Sequence, residues 1–138
     1  MPAAKAYFVP HNGARAASNL NDGDNKTFET ISLSNLKSIG LEFDKPHKVN
    51  CVVLKEYLVN GQYCQKFTLL LMDKKHELLR RIEGTTIGRK RIIIFPSTVA
   101  GIVELTAEGK NGATEISEIE AYSIINMDQH LTINKLNN

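Results

Sequence analysis

Apolar residues along this chain come in short runs broken by turn-forming residues. Turn signals fall at Asp22-Gly23-Asp24, Asp44-Lys45-Pro46, Asn60-Gly61, Asp73-Lys74, Gly84 to Gly88, Pro96-Ser97 and Gly109-Lys110-Asn111-Gly112. Their spacing of about 8 to 14 residues leaves room for strands and none for long helices, the pattern of an all-β sandwich or barrel. The intervening runs are VNCVVLKEYLV at 49–59, QKFTLLLM at 65–72, KRIIIF at 90–95, GIVELTA at 101–107 and EISEIEAYSII at 115–125. They are rich in β-branched and aromatic residues and nearly free of internal glycine and proline, as strands are. The stretch 75–83, KKHELLRRI, also fits one face of a short helix through Leu78, Leu79 and Ile82. Its length and flanking turns assign it to a strand.

Asn60-Gly61 separates two of these runs, and Asn-Gly is a strong hairpin cue because both residues tolerate positive φ. A simple hairpin there sets Cys64 across from Tyr57 and leaves Cys51 about six residues further along the partner strand. At about 3.4 Å per residue the two sulfurs lie about 20 Å apart, beyond the roughly 7 Å Cα limit for a disulfide. Two free thiols, packed as small buried hydrophobes, are expected.

Composition narrows the class. With 138 residues, 42% hydrophobic and 23% charged, the chain reads as one ordinary globular domain and not as a disordered or low-complexity segment. Lys and Arg number 17 against 15 Asp and Glu, a net charge of +2, too small to draw nucleic acid or an anionic membrane by bulk electrostatics. No stretch is long and apolar enough for a membrane span, and the first 20 residues lack the apolar run of a signal peptide. The start MPAAKAYF reads as a cytosolic N-terminus or as an initiator Met on an excised domain. That domain is expected over 1–125. Residues 126–138, with Met127, Leu131, Ile133 and Leu136, form a tail that packs back loosely or begin a following segment.

The densest oxygen-donor cluster is 19–27, NLNDGDNKT. Calcium takes about six to eight oxygens from carboxylates, hydroxyls and carbonyls on a loop that can curl, and Gly23 supplies the curl. An EF-hand is excluded, because Lys26, Thr27 and Leu33 stand where it needs a donor, a glycine and a glutamate. A polar Asx-turn loop without an ion remains open. Little points to catalysis: His11, His47, His76 and His130 are scattered without metal-ligand spacing, and no Gly-x-Ser-x-Gly elbow occurs. Arg80, Arg81, Arg89, Lys90 and Arg91 read as a solvated flank, since Glu77 and Glu83 are interspersed and strand alternation splits the faces. The Gly84 to Gly88 segment lacks the phosphate-loop pattern, and the Asn25-Lys26-Thr27 sequon is discounted because Thr27 belongs to the candidate ion loop.

These residues carry a resemblance. NLNDGDNKTF near the N-terminus and ISEIEAY at 116–122 resemble the discoidin or coagulation-factor type C domain, family 32 carbohydrate-binding modules included. KEYLVNGQYCQKFTL at 55–69 and EGTTIGRKRIIIF at 83–95 resemble the C-terminal β-sandwich of family 29 α-L-fucosidases. The resemblance covers about residues 15 to 125. It implies a galactose-binding-like jelly-roll β-sandwich of about eight antiparallel strands with one structural calcium where the first loop meets the last strand. The implied ligands are Asn19, Asp22, Asp24, Thr27, Ser117 and Glu118; Asp22, Asp24 and Glu118 would repel one another without a cation between them. It also implies that the chain is part of a longer secreted or periplasmic precursor.

The chain departs from the family where sugars bind. Thr27 is followed by Phe28 and Glu29 where the family has an aromatic and a tryptophan, and the protein contains no Trp. Phe43, Phe67 and Phe95 read as core. The loop-end candidates for a sugar site, or for an interface with a catalytic barrel, are Tyr57, Asn60, Gln62 and Arg89, with Asn60 first of all a turn residue. The expected function is a non-catalytic accessory module of a fucosidase-like glycoside hydrolase, binding terminal galactose- or fucose-type glycans weakly or bracing the catalytic domain. A purely structural or protein-docking β-sandwich is the alternative.

Overall fold

The computed structural model describes residues 4–9, 26, 28–32, 38–61, 63–110 and 112–125. None of these is helical. They form seven strands: β1 (Ala4–Val9), β2 (Glu29–Ser32), β3 (Ser38–Glu56), β4 (Cys64–Met72), β5 (Leu78–Gly84), β6 (Arg91–Gly109) and β7 (Ala113–Tyr122). Every pairing is antiparallel, in the order β2-β7-β3-β6-β4-β5, with β1 added on β3. The ambiguous 75–83 stretch contributes β5. Its preceding turn is tied by Asp73, whose Oδ1 accepts the backbone N–H groups of Lys75 and Glu77, at 2.8 and 3.0 Å.

Two expected turns are not turns. Asp44-Lys45-Pro46 lies inside β3 and Pro96-Ser97 inside β6, each strand running 19 residues. The β3–β6 register shifts at both places, between Glu42 and His47 and between Val49 and Cys51. A bulge absorbs unpaired residues and bends the strand, which is how a proline survives within a sheet. The runs 90–95 and 101–107 are therefore two halves of one strand.

The bends divide both long strands between two layers. Ser38–Phe43 pairs with β1 and, up to Glu42, with the second half of β6, which also pairs with β4. Cys51–Glu56 pairs with β7, and its first four residues also with the first half of β6. Strands that cross at bulges make the corners of a packed sandwich. Phe43, Val52, Leu54, Phe67, Leu69, Phe95, Leu105 and Ile119 fill the space between the layers in one buried cluster, as expected for the three phenylalanines.

The Asn60-Gly61 hairpin does not form. Over 51–54 the two sides of β3 are taken by β6 and β7, so β4 pairs with β6 and Cys64 faces Gly109, not Tyr57. A two-residue type I′ hairpin needs positive φ at both central residues. Gly61 has φ 72°, but His76 is the one non-glycine residue with positive φ among those described. Both cysteines are nevertheless free and buried.

Candidate functional site

The chain leaving β3 opens a cavity of about 590 Å³ at one end of the sandwich. Glu56, Tyr57, Leu58 and Val59 form one wall; Tyr63 ahead of β4, Arg89 ahead of β6, Ser117 on β7 and Lys26 ahead of β2 complete it. Glu56 holds the surrounding backbone. Its carboxylate oxygens accept the N–H of Gly88 at 3.0 Å and of Cys64 at 2.6 Å, while its own N–H donates to the Gly88 carbonyl at 2.9 Å. One buried side chain thus joins the end of β3 to the start of β4 and to the loop before β6. Burial pushes the Glu56 carboxyl above its ordinary value, and the two N–H donors oppose that shift. Burial, with the Glu56 charge as the next cause, pushes the Cys64 thiol up to about 11.

Tyr57 is set by its N–H, which donates to the Glu115 carbonyl at 2.8 Å, and by its ring, which stacks on Phe28 with centroids 4.4 Å apart and planes 18° from parallel. Tyr63 is 50% exposed and Val59 78%. The 58–61 turn closes through Gly61 N–H to the Leu58 carbonyl at 3.1 Å, and Asn60 Nδ2 donates to Glu115 Oε2 at 2.9 Å. Arg89 follows Gly88, whose φ of 74° suits only glycine well. Arg89 is exposed, and makes no hydrogen bond or ion pair among the described residues. The arrangement offers aromatic surface, an exposed arginine next to a held backbone position, and a floor tied by Glu56.

No protein-family model matches the chain. A phosphoglucosamine mutase from Deinococcus deserti is 26% identical over 97 residues, 70% of this chain and 22% of the mutase, which at that identity assigns no family. Solved structures match far more of the fold. A Ruminococcus gnavus GH29 fucosidase in complex with fucose aligns with TM-score 0.72 and 24% identity over 90% of this chain and 26% of its own. The module CpGH89CBM32-5 from Clostridium perfringens, in complex with GalNAc-β-1,3-galactose, aligns with TM-score 0.72 and 23% identity over 87% of this chain and 95% of its own. The CBM32 of AlyQ, in complex with 4,5-unsaturated mannuronic acid, aligns with TM-score 0.71 and 19% identity over 86% and 94%.

The chain has the galactose-binding-like jelly-roll fold. This jelly roll spans 26% of the fucosidase and 22% of the mutase, but matches nearly the whole of the two carbohydrate-binding modules. Of its expected sugar or interface residues, Tyr57 and Arg89 line the cavity. Asn60 is beside it with its amide engaged by Glu115, and Gln62 lies outside the described residues. Of the expected ion ligands, Asn19, Asp22, Asp24 and Thr27 lie outside the described residues. Ser117 and Glu118 are buried neighbours on β7, at 2% and 3% exposure. Between Lys55 and Glu56 the β3–β7 register shifts, leaving Ser117 as the extra residue of a bulge, and its hydroxyl donates to the Lys55 carbonyl at 3.1 Å.

Sequence reasoning missed Glu56, Tyr63 and Lys26 as parts of this site. Tyr63 carried a signal, an aromatic within a turn region. Glu56 carried none: a glutamate in a strand-like run reads as a solvent-facing residue, and its clamp depends on Gly88, 32 positions away.

Proposed function

We propose that this jelly roll is a carbohydrate-binding accessory module whose ligand enters the cavity at the end of β3. One observation carries the reading: Tyr57, backed by Phe28, and half-exposed Tyr63 flank Arg89 around a cavity of about 590 Å³. That volume falls within the usual range of small-ligand sites, where aromatic faces take the apolar side of a sugar and a few polar groups orient it. Two modules of the same fold are in complex with a galactose-containing disaccharide and with an unsaturated mannuronic acid, and the fucosidase matched over 26% of its length is in complex with fucose. The ligands proposed here are terminal galactose- or fucose-type glycans, bound weakly, with the module serving a larger, secreted, fucosidase-like glycoside hydrolase and doing no chemistry itself. No helix among the described residues is long and apolar enough to cross a membrane.

A structural calcium belongs to the proposal. Glu118 is a buried carboxylate beside a bulged strand residue, and carboxylate, hydroxyl and carbonyl oxygens are the donors that calcium takes. β2 enters the sheet at Glu29 opposite Ile116, and Lys26, three residues ahead of it, lines the same cavity as Ser117. That donor chemistry fits a hard cation, with Asn19, Asp22, Asp24 and Thr27 as the remaining ligands.

Titration with galactose, fucose and GalNAc-β-1,3-galactose, followed by amide chemical shifts, tests the sugar reading. Shifts gathered at Tyr57, Tyr63 and Arg89, weakened about tenfold or more by Tyr63→Ala, support it. Silence across the panel from a folded protein overturns it. The second reading, protein docking, has its own observation: Ile92, Ile94 and Val99 are exposed on β6, which over 91–98 pairs on one side only among the described residues. Association with the parent catalytic domain, lost on Ile92→Asp while sugar shifts persist, would mark that surface as the interface.

A further inference from the structure

Among the described residues, the first half of β6 is a sheet edge. Over 91–98 it pairs with β3 on one side, and no described backbone pairs with it on the other. An open edge offers N–H and C=O groups to any extended chain, and folds usually guard it with charges or keep it short. The other edge strands are guarded: β1 carries Lys5, β2 is four residues long, and β5 carries Arg80, Arg81 and Glu83. The run Ile92-Ile93-Ile94-Phe95 carries no charge. Ile93 and Phe95 belong to the buried core, while Ile92 and Ile94 are exposed on the outer face.

This edge is complementary to itself. Antiparallel pairing about a two-fold axis through Ile93 sets Ile92 of each copy across from Ile94 of the other, an apolar pair made twice. The charges agree with that register. Arg91 falls opposite Phe95 of the second copy, so the two arginines stand four residues apart, about 14 Å along the strands, beyond a Debye length of about 8 Å. Each Arg91 is also held on its own chain, donating to the Thr86 carbonyl at 3.4 Å and lying over the Phe67 ring at 5.8 Å. Pro96, with no N–H to give, ends the pairing at the bulge.

We propose that this edge joins a second copy of the chain, antiparallel and centred on Ile93, so that the layer β2-β7-β3-β6 continues across the pair. The second copy takes the place that the docking reading above gives to a catalytic domain, and sugar binding in the cavity does not enter. Five residues and two isoleucines from each copy bury less than the roughly 1,200 Å² of a standard stable interface, so the dimer is weak and reversible, with a Kd on the order of 100 µM.

The full chain is sedimented from about 10 µM to about 1 mM, a range that brackets this Kd. The weight-average mass is expected to climb from one chain toward two and stop there, since a two-fold edge closes on itself. Amides of 91–95 gain protection from hydrogen exchange over the same range. Ile92→Lys and Ile94→Lys hold the mass at one chain, and Leu79→Lys on the β5 edge leaves association intact, provided each variant melts as the parent does. Ile92→Cys chains mixed with Ile94→Cys chains cross-link about fivefold faster than either alone, because only the mixture sets two thiols directly opposite. A mass of one chain at every concentration overturns the inference: unprotected 91–95 then leaves the edge to a catalytic domain, and protected 91–95 gives it to a segment of the same chain. Assembly that ignores Ile92→Lys, or that grows past two copies, overturns it as well.

Discussion

Glu56 illustrates how much one side chain organises. Its carboxyl group is held above the ordinary value of 4.5 by burial, against two N–H donors that lower it. A folded-state value above the unfolded one means that the native state binds the proton more tightly. Its contribution is then complete below 4.5 and is lost as pH rises through the raised value. The melting temperature of the wild type minus that of Glu56→Gln should therefore fall as pH climbs through that window and level off above it; a difference that grows with pH contradicts this. The cysteines obey a related rule. Burial pushes the Cys51 thiol up, and Cys64 stands at about 11, so neither offers thiolate at neutral pH. A thiol reagent at pH 8 should leave both unmodified in the native protein and label two per chain after unfolding. Rapid labelling of the native protein would contradict that burial. That these thiols are free was legible in the sequence, but for a reason that did not hold: the strands thought to separate them are not paired with each other.

At the scale of elements, local chemistry predicted the existence of strands better than their limits. β4, β5 and β7 stand close to where apolar alternation put them. Pro46 and Pro96 read locally as breaks, yet bulges carry both strands onward. Asn60-Gly61 does form a turn, but it docks on Glu115 and does not close a hairpin. Glycines separate these cases energetically. A Cβ at Gly109 would lie 1.6 Å from the Ala113 carbonyl oxygen, whereas a Cβ at Gly61 meets nothing within 4 Å. Gly109→Ala must therefore distort the β6–β7 connection, at a cost of about 1–3 kcal/mol, while Gly61→Ala costs only the left-handed backbone penalty of about 1 kcal/mol. Urea midpoints should rank wild type, then Gly61→Ala, then Gly109→Ala; the reverse order of the two variants rules out the close approach. Asn50 binds the segment after β7, giving its amide to the Ile124 carbonyl at 3.0 Å and accepting the Ile124 N–H at 2.8 Å, a tie between residues 74 apart that no local pattern announces.

At the scale of the whole molecule, the proposed calcium links the loop ahead of β2 to β7. If it binds, ion at about 100-fold above its dissociation constant adds about 2.7 kcal/mol, so exchanging calcium for EGTA should lower the melting temperature by about 10 °C. Glu118→Gln should abolish the difference, and equal melting in both buffers would remove calcium from the account. The all-β class, the strand-rich runs, the phenylalanine core and the moderate charge were decided by the sequence itself, because turn spacing and side-chain alternation act over a few residues and survive any topology. The strand order, the two long bent strands and the company kept by Tyr57, Tyr63, Arg89 and Glu56 were decided only in three dimensions. Those contacts join segments far apart in the chain, and whether β3 meets β4 or β6 depends on how two layers share one core, a balance that no local window contains.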